Sequence, residues 1–231
     1  MKKVGLLGGM SWESTAIYYR LINEGVSRKL GGLHSAEIIL YSVDFEKIAK
    51  LQMEGDWKQA SKLLVEAAIS LEKAGAESIL LCTNTMHKVS GDIIESISSP
   101  FLHIGDATAE ALVNSGIRTV GLLATAFTME QDFYSGYMQE KYGIEVLIPE
   151  PRDREIVHRV IYDELCKGEV LNSSKMEFIR IVEGLSKQGA QGVILGCTEI
   201  CMLLSQEDTS TPLINSTELH AQAAVKFAIG I

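Results

Sequence analysis

The chain has 231 residues, of which 46% are hydrophobic and 22% charged, and it carries a formal net charge of −9. This composition is ordinary for a globular protein, and no apolar run approaches the ~18 residues that suggest a membrane span. The negative charge argues against nucleic acid and membrane surfaces as partners. The four scattered cysteines predict a reduced, cytoplasmic setting and no disulfide framework.

Short apolar runs alternate with amphipathic helical patterns along the whole chain. The predicted strands cover residues 4–7, 38–41, 79–82, 120–123, 146–148 and 193–195. The predicted helices cover residues 15–30, 57–74, 130–142, 154–166, 174–188 and 218–229. This alternation predicts an α/β fold of parallel sheets flanked by helices.

The sequence repeats itself at an offset of 112 to 116 residues. Residues 75–85 (GAESILLCTNT) match residues 189–199 (GAQGVILGCTE), residues 4–8 (VGLLG) match 120–124 (VGLLA), and residues 100–103 match 212–215. So long a period predicts two pseudo-symmetric lobes rather than a solenoid. We place the boundaries between them near Ser99 and Thr211.

The repeat pairs Thr83 with Cys197 and Cys82 with Gly196. In open parallel sheets ligands bind beyond the carboxyl ends of the strands, where residues 8–13, 82–87, 124–129 and 196–199 are predicted to lie. Equivalent groups from two lobes can approach a small ligand from opposite sides. Removal and return of a proton at a stereocentre is a chemistry that needs this arrangement.

Cys197 is the first candidate for that chemistry, because the amides of a helix starting beside it would favour the thiolate. The alternative is a buried structural cysteine. Thr83, Asn84 and Thr85 could hold a carboxylate with hydroxyl, amide and backbone groups, or could serve only as a helix N-cap. Cys82 is interpreted as a core residue, and no spacing of Cys and His predicts a metal site.

These motifs resemble the aspartate/glutamate racemase family, which uses no pyridoxal cofactor. The resemblance covers the whole chain and rests on GLLGGM at residues 5–10, NTMH at 84–87 and GCTE at 196–199. It is strongest to the enterobacterial broad-specificity or L-aspartate/glutamate-specific branch. It implies no cofactor, an amino-acid substrate in a cleft between the lobes, and a homodimer.

The resemblance also implies site residues and domain bounds. Residues 1–99 with 212–231 would form the N-terminal lobe, and residues 100–211 the C-terminal lobe. Thr83 and Cys197 occupy the two acid/base positions. The implied substrate-binding residues are Met10, Gln52, Thr83, Asn84, Thr85, Thr198 and Glu199. The family has cysteine where this chain has Thr83, so we expect Cys197 to deprotonate the L-substrate and Thr83 to assist reprotonation.

In aspartate racemases, basic residues recognise the acidic side chain of the substrate. The corresponding positions here are Cys166 and the segments that contain Lys47 and Lys167, so acidic, neutral and mixed preferences for the substrate side chain remain open. Two other functions also remain open. One is a single-cysteine decarboxylase or isomerase of a small dicarboxylate in the same superfamily. The other is a non-catalytic two-lobed binding protein.

Overall fold

The computed structural model describes all residues from 1 to 231 and divides them into two compact units. Unit 1 comprises Met1–Ile104 and Glu218–Ile231, and unit 2 comprises Gly105–Thr217. The predicted boundaries near Ser99 and Thr211 fall in the segments just before two short strands. No helix is both long enough and apolar enough to cross a membrane.

The first half of the chain alternates strands and helices and forms the first sheet. Its elements are β1 (Val4–Gly8), α1 (Trp12–Leu30), β2 (Ile38–Ser42), α2 (Phe45–Glu54), α3 (Trp57–Lys73), β3 (Ser78–Leu81), a 3₁₀-helix (Thr85–Val89), α4 (Ser90–Ser96), β4 (Phe101–Leu102) and α5 (Ile104–Asn114). The sheet is parallel throughout, with the strand order β2-β1-β3-β4.

The remainder of the chain builds a second sheet in the same way. Its elements are β5 (Thr119–Leu123), α6 (Ala126–Glu130), α7 (Asp132–Tyr142), β6 (Glu145–Leu147), α8 (Pro151–Asp163), a 3₁₀-helix (Leu165–Lys167), α9 (Asn172–Lys187), β7 (Val193–Leu195), α10 (Ile200–Leu203), a 3₁₀-helix (Gln206–Asp208), β8 (Leu213–Asn215) and α11 (Ser216–Ile229). The strand order β6-β5-β7-β8 is the same arrangement in parallel register. The predicted fold of parallel sheets flanked by helices is therefore confirmed.

The repeated glycine of the first strand in each half has a packing reason. A Cβ on Gly5 would lie 2.9 Å from the Cβ of Ala76, and one on Gly121 would lie 2.8 Å from Cδ1 of Leu185. Real Cβ atoms essentially never come so close. In β1 and β5 the glycine therefore leaves room for the side chain that packs beside it, Ala76 at Gly5 and Leu185 at Gly121.

The element predictions differ from the structure mainly at helix ends. The helix expected at residues 130–142 is α7, which begins at Asp132, and a separate short helix, α6, ends just before the extended residue Gln131. The helix expected at 154–166 begins earlier, with Pro151 at its first turn, and ends at Asp163. Pro is well suited to the first turn, because it has no N–H to leave unpaired. The elements that were not predicted include the helices α2, α4, α6 and α10 and the short strands β4 and β8.

Candidate active site

The repeat register is confirmed at the strand ends of the two sheets. Leu7 pairs with Leu81 in the first sheet, and Leu123 pairs with Leu195 in the second. One residue on, the Cys82 amide donates to the Leu7 carbonyl at 2.9 Å, and the Gly196 amide donates to the Leu123 carbonyl at 2.8 Å. Cys82 and Gly196 are therefore equivalent, and so are the residues that follow them, Thr83 and Cys197.

Cys82 lies in the core, as the repeat predicted. It is fully buried and packs with Val4, Leu6 and Leu80 in an apolar cluster. Burial raises the pKa of its thiol far above the usual range. Thr83, in contrast, is half-buried. The strand-end group in the first unit is therefore a hydroxyl and not a thiol.

The backbone of Thr83 is held on both sides. Its amide donates to the Leu81 carbonyl at 2.8 Å, and its carbonyl lies 2.7 Å from Nδ1 of His87. Asn84 and Thr85 follow and are both buried. Asn84 forms no side-chain capping bond to the 3₁₀-helix that begins at Thr85, so the N-cap interpretation is wrong for this residue.

The loop after β1 lies beside this strand end, because β1 and β3 are hydrogen-bonded neighbours. The Gly9 amide donates to Oγ1 of Thr15 at 2.8 Å, and the Thr15 hydroxyl donates to the Ser11 carbonyl at 2.9 Å. The Met10–Ser11 peptide bond is cis. Met10 is only 5% exposed and belongs to the apolar core cluster of unit 1.

Gln52 is the remaining predicted contact of unit 1. It sits near the end of α2, is 5% exposed, and donates through Nε2 to Sδ of Met86 at 2.9 Å. A thioether sulfur is a weak acceptor. Met86 follows Thr85 directly, so Gln52 is connected to the Thr83 segment through this contact.

Cys197 has a carboxylate as its nearest polar partner. Its Sγ donates to Oε2 of Glu199 at 2.9 Å, and Glu199 itself is buried. Burial raises the pKa of Cys197 well above its usual value, and the charge of Glu199 and the neighbouring Cys166 raise it further. The backbone amide of Glu199 lowers the pKa of Cys197, as expected of an amide before a helix, but burial and the Glu199 carboxylate outweigh it. The expected preference for the thiolate is therefore wrong, and α10, which begins only at Ile200, has just four residues.

Two side chains of α8, Tyr162 and His158, were not among the predicted site residues. Burial raises the pKa of Tyr162 to about 12, with further contributions from Cys197, Cys166 and Glu199. The ring of His158 lies 4.8 Å from that of Tyr162, and its Nδ1 accepts from the Ala126 amide at 3.2 Å. The signal in the sequence is the spacing of four, which places His158, Tyr162 and Cys166 in successive turns of one helical pattern.

Thr198 connects the same segment to the last helix. Its Oγ1 lies 3.3 Å from Oγ1 of Thr217, and the Ser216 hydroxyl donates to the Leu195 carbonyl at 2.9 Å. The start of α11 is therefore anchored at the end of β7. Each unit thus presents a cluster of buried polar groups at the carboxyl end of its central strands.

Comparison with known proteins assigns the chain to a family. Residues 7–224 match the model of the family described as Asp/Glu/Hydantoin racemase. The chain belongs to this family, and it is an enzyme of the racemase class.

Several relatives are similar to this protein over nearly the whole chain. A Yersinia pestis protein proposed to be an Asp/Glu racemase is 54% identical, covering 99% of this chain and 100% of its own, with a TM-score of 0.94. An aspartate racemase homologue from Pyrococcus horikoshii is 36% identical with the same coverage and a TM-score of 0.85. The broad-specificity amino-acid racemase RacX of Bacillus subtilis is 24% identical over 225 residues, 96% of each chain.

Proposed function

We propose that this protein is a racemase of amino acids that uses no pyridoxal cofactor. In this proposal Cys197 removes the Cα proton from the L-substrate, and Thr83 assists return of a proton on the opposite face. The observation that carries it is the equivalence of Thr83 and Cys197 in the two sheets, which rests on matching backbone hydrogen bonds. The proposal requires one substrate to be reached by both groups.

Proton removal needs Cys197 as a thiolate, since the thiol is not a base. Glu199 accepts from the thiol at 2.9 Å and holds the proton on sulfur. We propose that the substrate ammonium binds Glu199, offsets its charge and so lowers the pKa of Cys197. The thiol of Cys197, which is only partly buried, can then lose its proton to solvent, and the thiolate can take the Cα proton in its place.

Thr83 plays the weaker part in this scheme. A threonine hydroxyl can donate or relay a proton but is a far poorer base than a thiolate at neutral pH. Turnover from the D-substrate, which would need Thr83 as the base, is therefore expected to have a low kcat. We propose that Met10, Gln52, Asn84, Thr85 and Thr198 hold the remaining backbone groups of the substrate.

We propose that the range of accepted substrates is wider than aspartate and glutamate. Lys47 and Lys167, the nearest candidates for reading a second carboxylate, are each exposed and lie 3.7 Å from an acidic neighbour on their own segment. Cys166, which occupies the implied lysine position, is uncharged as a thiol. An uncharged substrate side chain is therefore compatible with this region. A homodimer and a cytoplasmic location stay predictions.

The test is incubation in D₂O, without added cofactor, with L-aspartate, L-glutamate and L-homoserine. NMR reads deuterium at Cα, and chiral chromatography reads the enantiomer. Cys197→Ala should abolish turnover and Thr83→Ala should lower it, whereas Cys82→Ala, a matched thiol removal in the core, should retain it. Persistence of turnover in Cys197→Ala, or its loss only in Cys82→Ala, would contradict the assignment.

One observation favours a second candidate. Because Cys82 is buried in the core, Cys197 is the only strand-end thiol of the pair. A single thiol suits a decarboxylase or isomerase acting on a small dicarboxylate through a similar enolate-like intermediate. Release of CO₂ or movement of a double bond, without racemisation of any amino acid, would favour this activity.

A further inference from the structure

The ring of His87 contacts the Thr83 carbonyl and the Ile104 amide, and these two partners define its tautomer. The Ile104 amide donates to Nε2 at 3.3 Å, so Nε2 carries no proton. Nδ1 lies 2.7 Å from the Thr83 carbonyl, which can only accept. One neutral tautomer, with the proton on Nδ1, satisfies both contacts.

The surroundings of His87 keep this tautomer in place. The side chain is 3% exposed, and its ring makes edge contacts with His103 at 4.6 Å and His220 at 5.8 Å between centroids. His220 is fixed in turn, since its Nδ1 lies 2.9 Å from the Tyr18 hydroxyl and its Nε2 2.6 Å from the Leu102 carbonyl. Burial and the two neighbouring histidines hold the pKa of His87 well below its usual value.

From these contacts we infer that His87 is a positioning residue for Thr83. With its amide bonded to Leu81 and its carbonyl bonded to His87, Thr83 has both peptide groups fixed. Its hydroxyl then moves only about χ1, for which threonine has few favoured rotamers. His87 touches no reacting atom in this scheme. The inference rests on the proposed function, because it assigns a use to the orientation of the Thr83 hydroxyl.

Two substitutions separate the two nitrogens of the ring. The side-chain amide of asparagine can replace Nδ1–H as the donor to Thr83, whereas that of glutamine can replace Nε2 as the acceptor for Ile104. We expect His87→Gln to lower kcat for L-to-D turnover about three- to tenfold, the effect of losing one hydrogen bond, with KM nearly unchanged. His87→Asn should recover most of this loss, and His34→Gln, which changes an exposed histidine, should have no effect.

Isotope effects distinguish positioning from general damage. If return of the proton from the Thr83 side becomes slower in His87→Gln, this step should limit kcat more and removal of the Cα proton less. The solvent kinetic isotope effect on kcat should then rise, and the kinetic isotope effect of deuterium at Cα should fall. A merely structural role would lower kcat without this opposite movement. Equal kcat values for the Gln and Asn variants, or unchanged isotope effects, would overturn the inference.

One measurement uses the unaltered protein, so its result depends neither on whether the variants fold nor on catalytic activity. Long-range ¹H–¹⁵N spectra of histidine-labelled protein should show His87 neutral with the proton on Nδ1, assigned by comparison with His87→Asn or, failing that, with through-space contacts to Phe101. A proton on Nε2 would overturn the inference whatever the activity. Absence of cofactor-free Cα exchange, with the Nδ1 proton present, would instead refute the proposed function.

Discussion

The substitution Glu199→Gln tests how the resting site stores its proton. It removes the negative charge that lies 2.9 Å from Sγ of Cys197 but leaves an amide oxygen that can still accept from the thiol. Two unit charges 2.9 Å apart interact by about 6 kcal/mol at an effective dielectric constant of roughly 20. Even a quarter of this energy, about 1.4 kcal/mol, changes the thiolate population about tenfold.

The assay is the rate of iodoacetamide alkylation of Cys197 near pH 7.5 without substrate, with the labelled cysteine identified by mass spectrometry. We expect Glu199→Gln to react at least about tenfold faster than the wild type, because the pKa of the thiol falls when the anion is removed. Glu169→Gln, which neutralises an exposed carboxylate of the same unit, is the control and should react at the wild-type rate. An alkylation rate in Glu199→Gln equal to or below that of the wild type would refute the reasoning.

Three further changes follow from the structure. Gly9→Ala should lower the free energy of unfolding, measured by urea titration, by about 2–4 kcal/mol. The reason is that Gly9 has φ +92° and that a Cβ there would lie 2.3 Å from the Val43 carbonyl oxygen. The control is Gly55→Ala, at φ +71° with open space around it, which should lower the free energy of unfolding only by the backbone strain of about 1–2 kcal/mol. Because the pKa of His87 is low in the folded protein, its imidazole takes up a proton in the unfolded chain before it does so in the folded one as the pH falls below about 6.5. The free energy of unfolding should therefore decrease on the acid side by up to about 1.4 kcal/mol per pH unit. The decrease should be shallower in His87→Gln. Thr83→Cys should raise kcat from the D-enantiomer at least about tenfold in chiral assays, since a thiolate is the better base; an unchanged D-to-L kcat would contradict the assigned role of Thr83.

The fold was predictable because the sequence contains it twice. Each half pairs a glycine-bearing first strand with a continuous apolar third strand, and strands of that kind are buried on both faces. Even a single backbone hydrogen bond is repeated: the Cys82 amide donates to the Leu7 carbonyl in the first sheet, and the Gly196 amide donates to the Leu123 carbonyl in the second. Equivalence of two positions is a property of chain register, which one sequence can reveal without any contact being known.

The electrostatics of the site were not predictable in the same way. Adjacent helix amides and a nearby carboxylate have opposite effects on a thiol, and the sequence places Glu199 only two residues from Cys197 without fixing which way its side chain turns. In the structure the carboxylate faces the sulfur at 2.9 Å and the helix beyond it is one turn long. The role of His87 depends likewise on Ile104, a contact across 17 residues that no local pattern encodes.

The raised pKa of Cys197 has a consequence for the choice of substrate. A free thiolate beside Glu199 would place two anions 2.9 Å apart, so the resting protein keeps the thiol protonated. The same carboxylate is the natural partner of an ammonium, and binding of that cation would remove the repulsion which keeps the proton on sulfur. In the proposed mechanism the base is therefore generated by the substrate it acts on. An α-hydroxy acid of the same shape would offer Glu199 no cation, and Cys197 would stay protonated and inert.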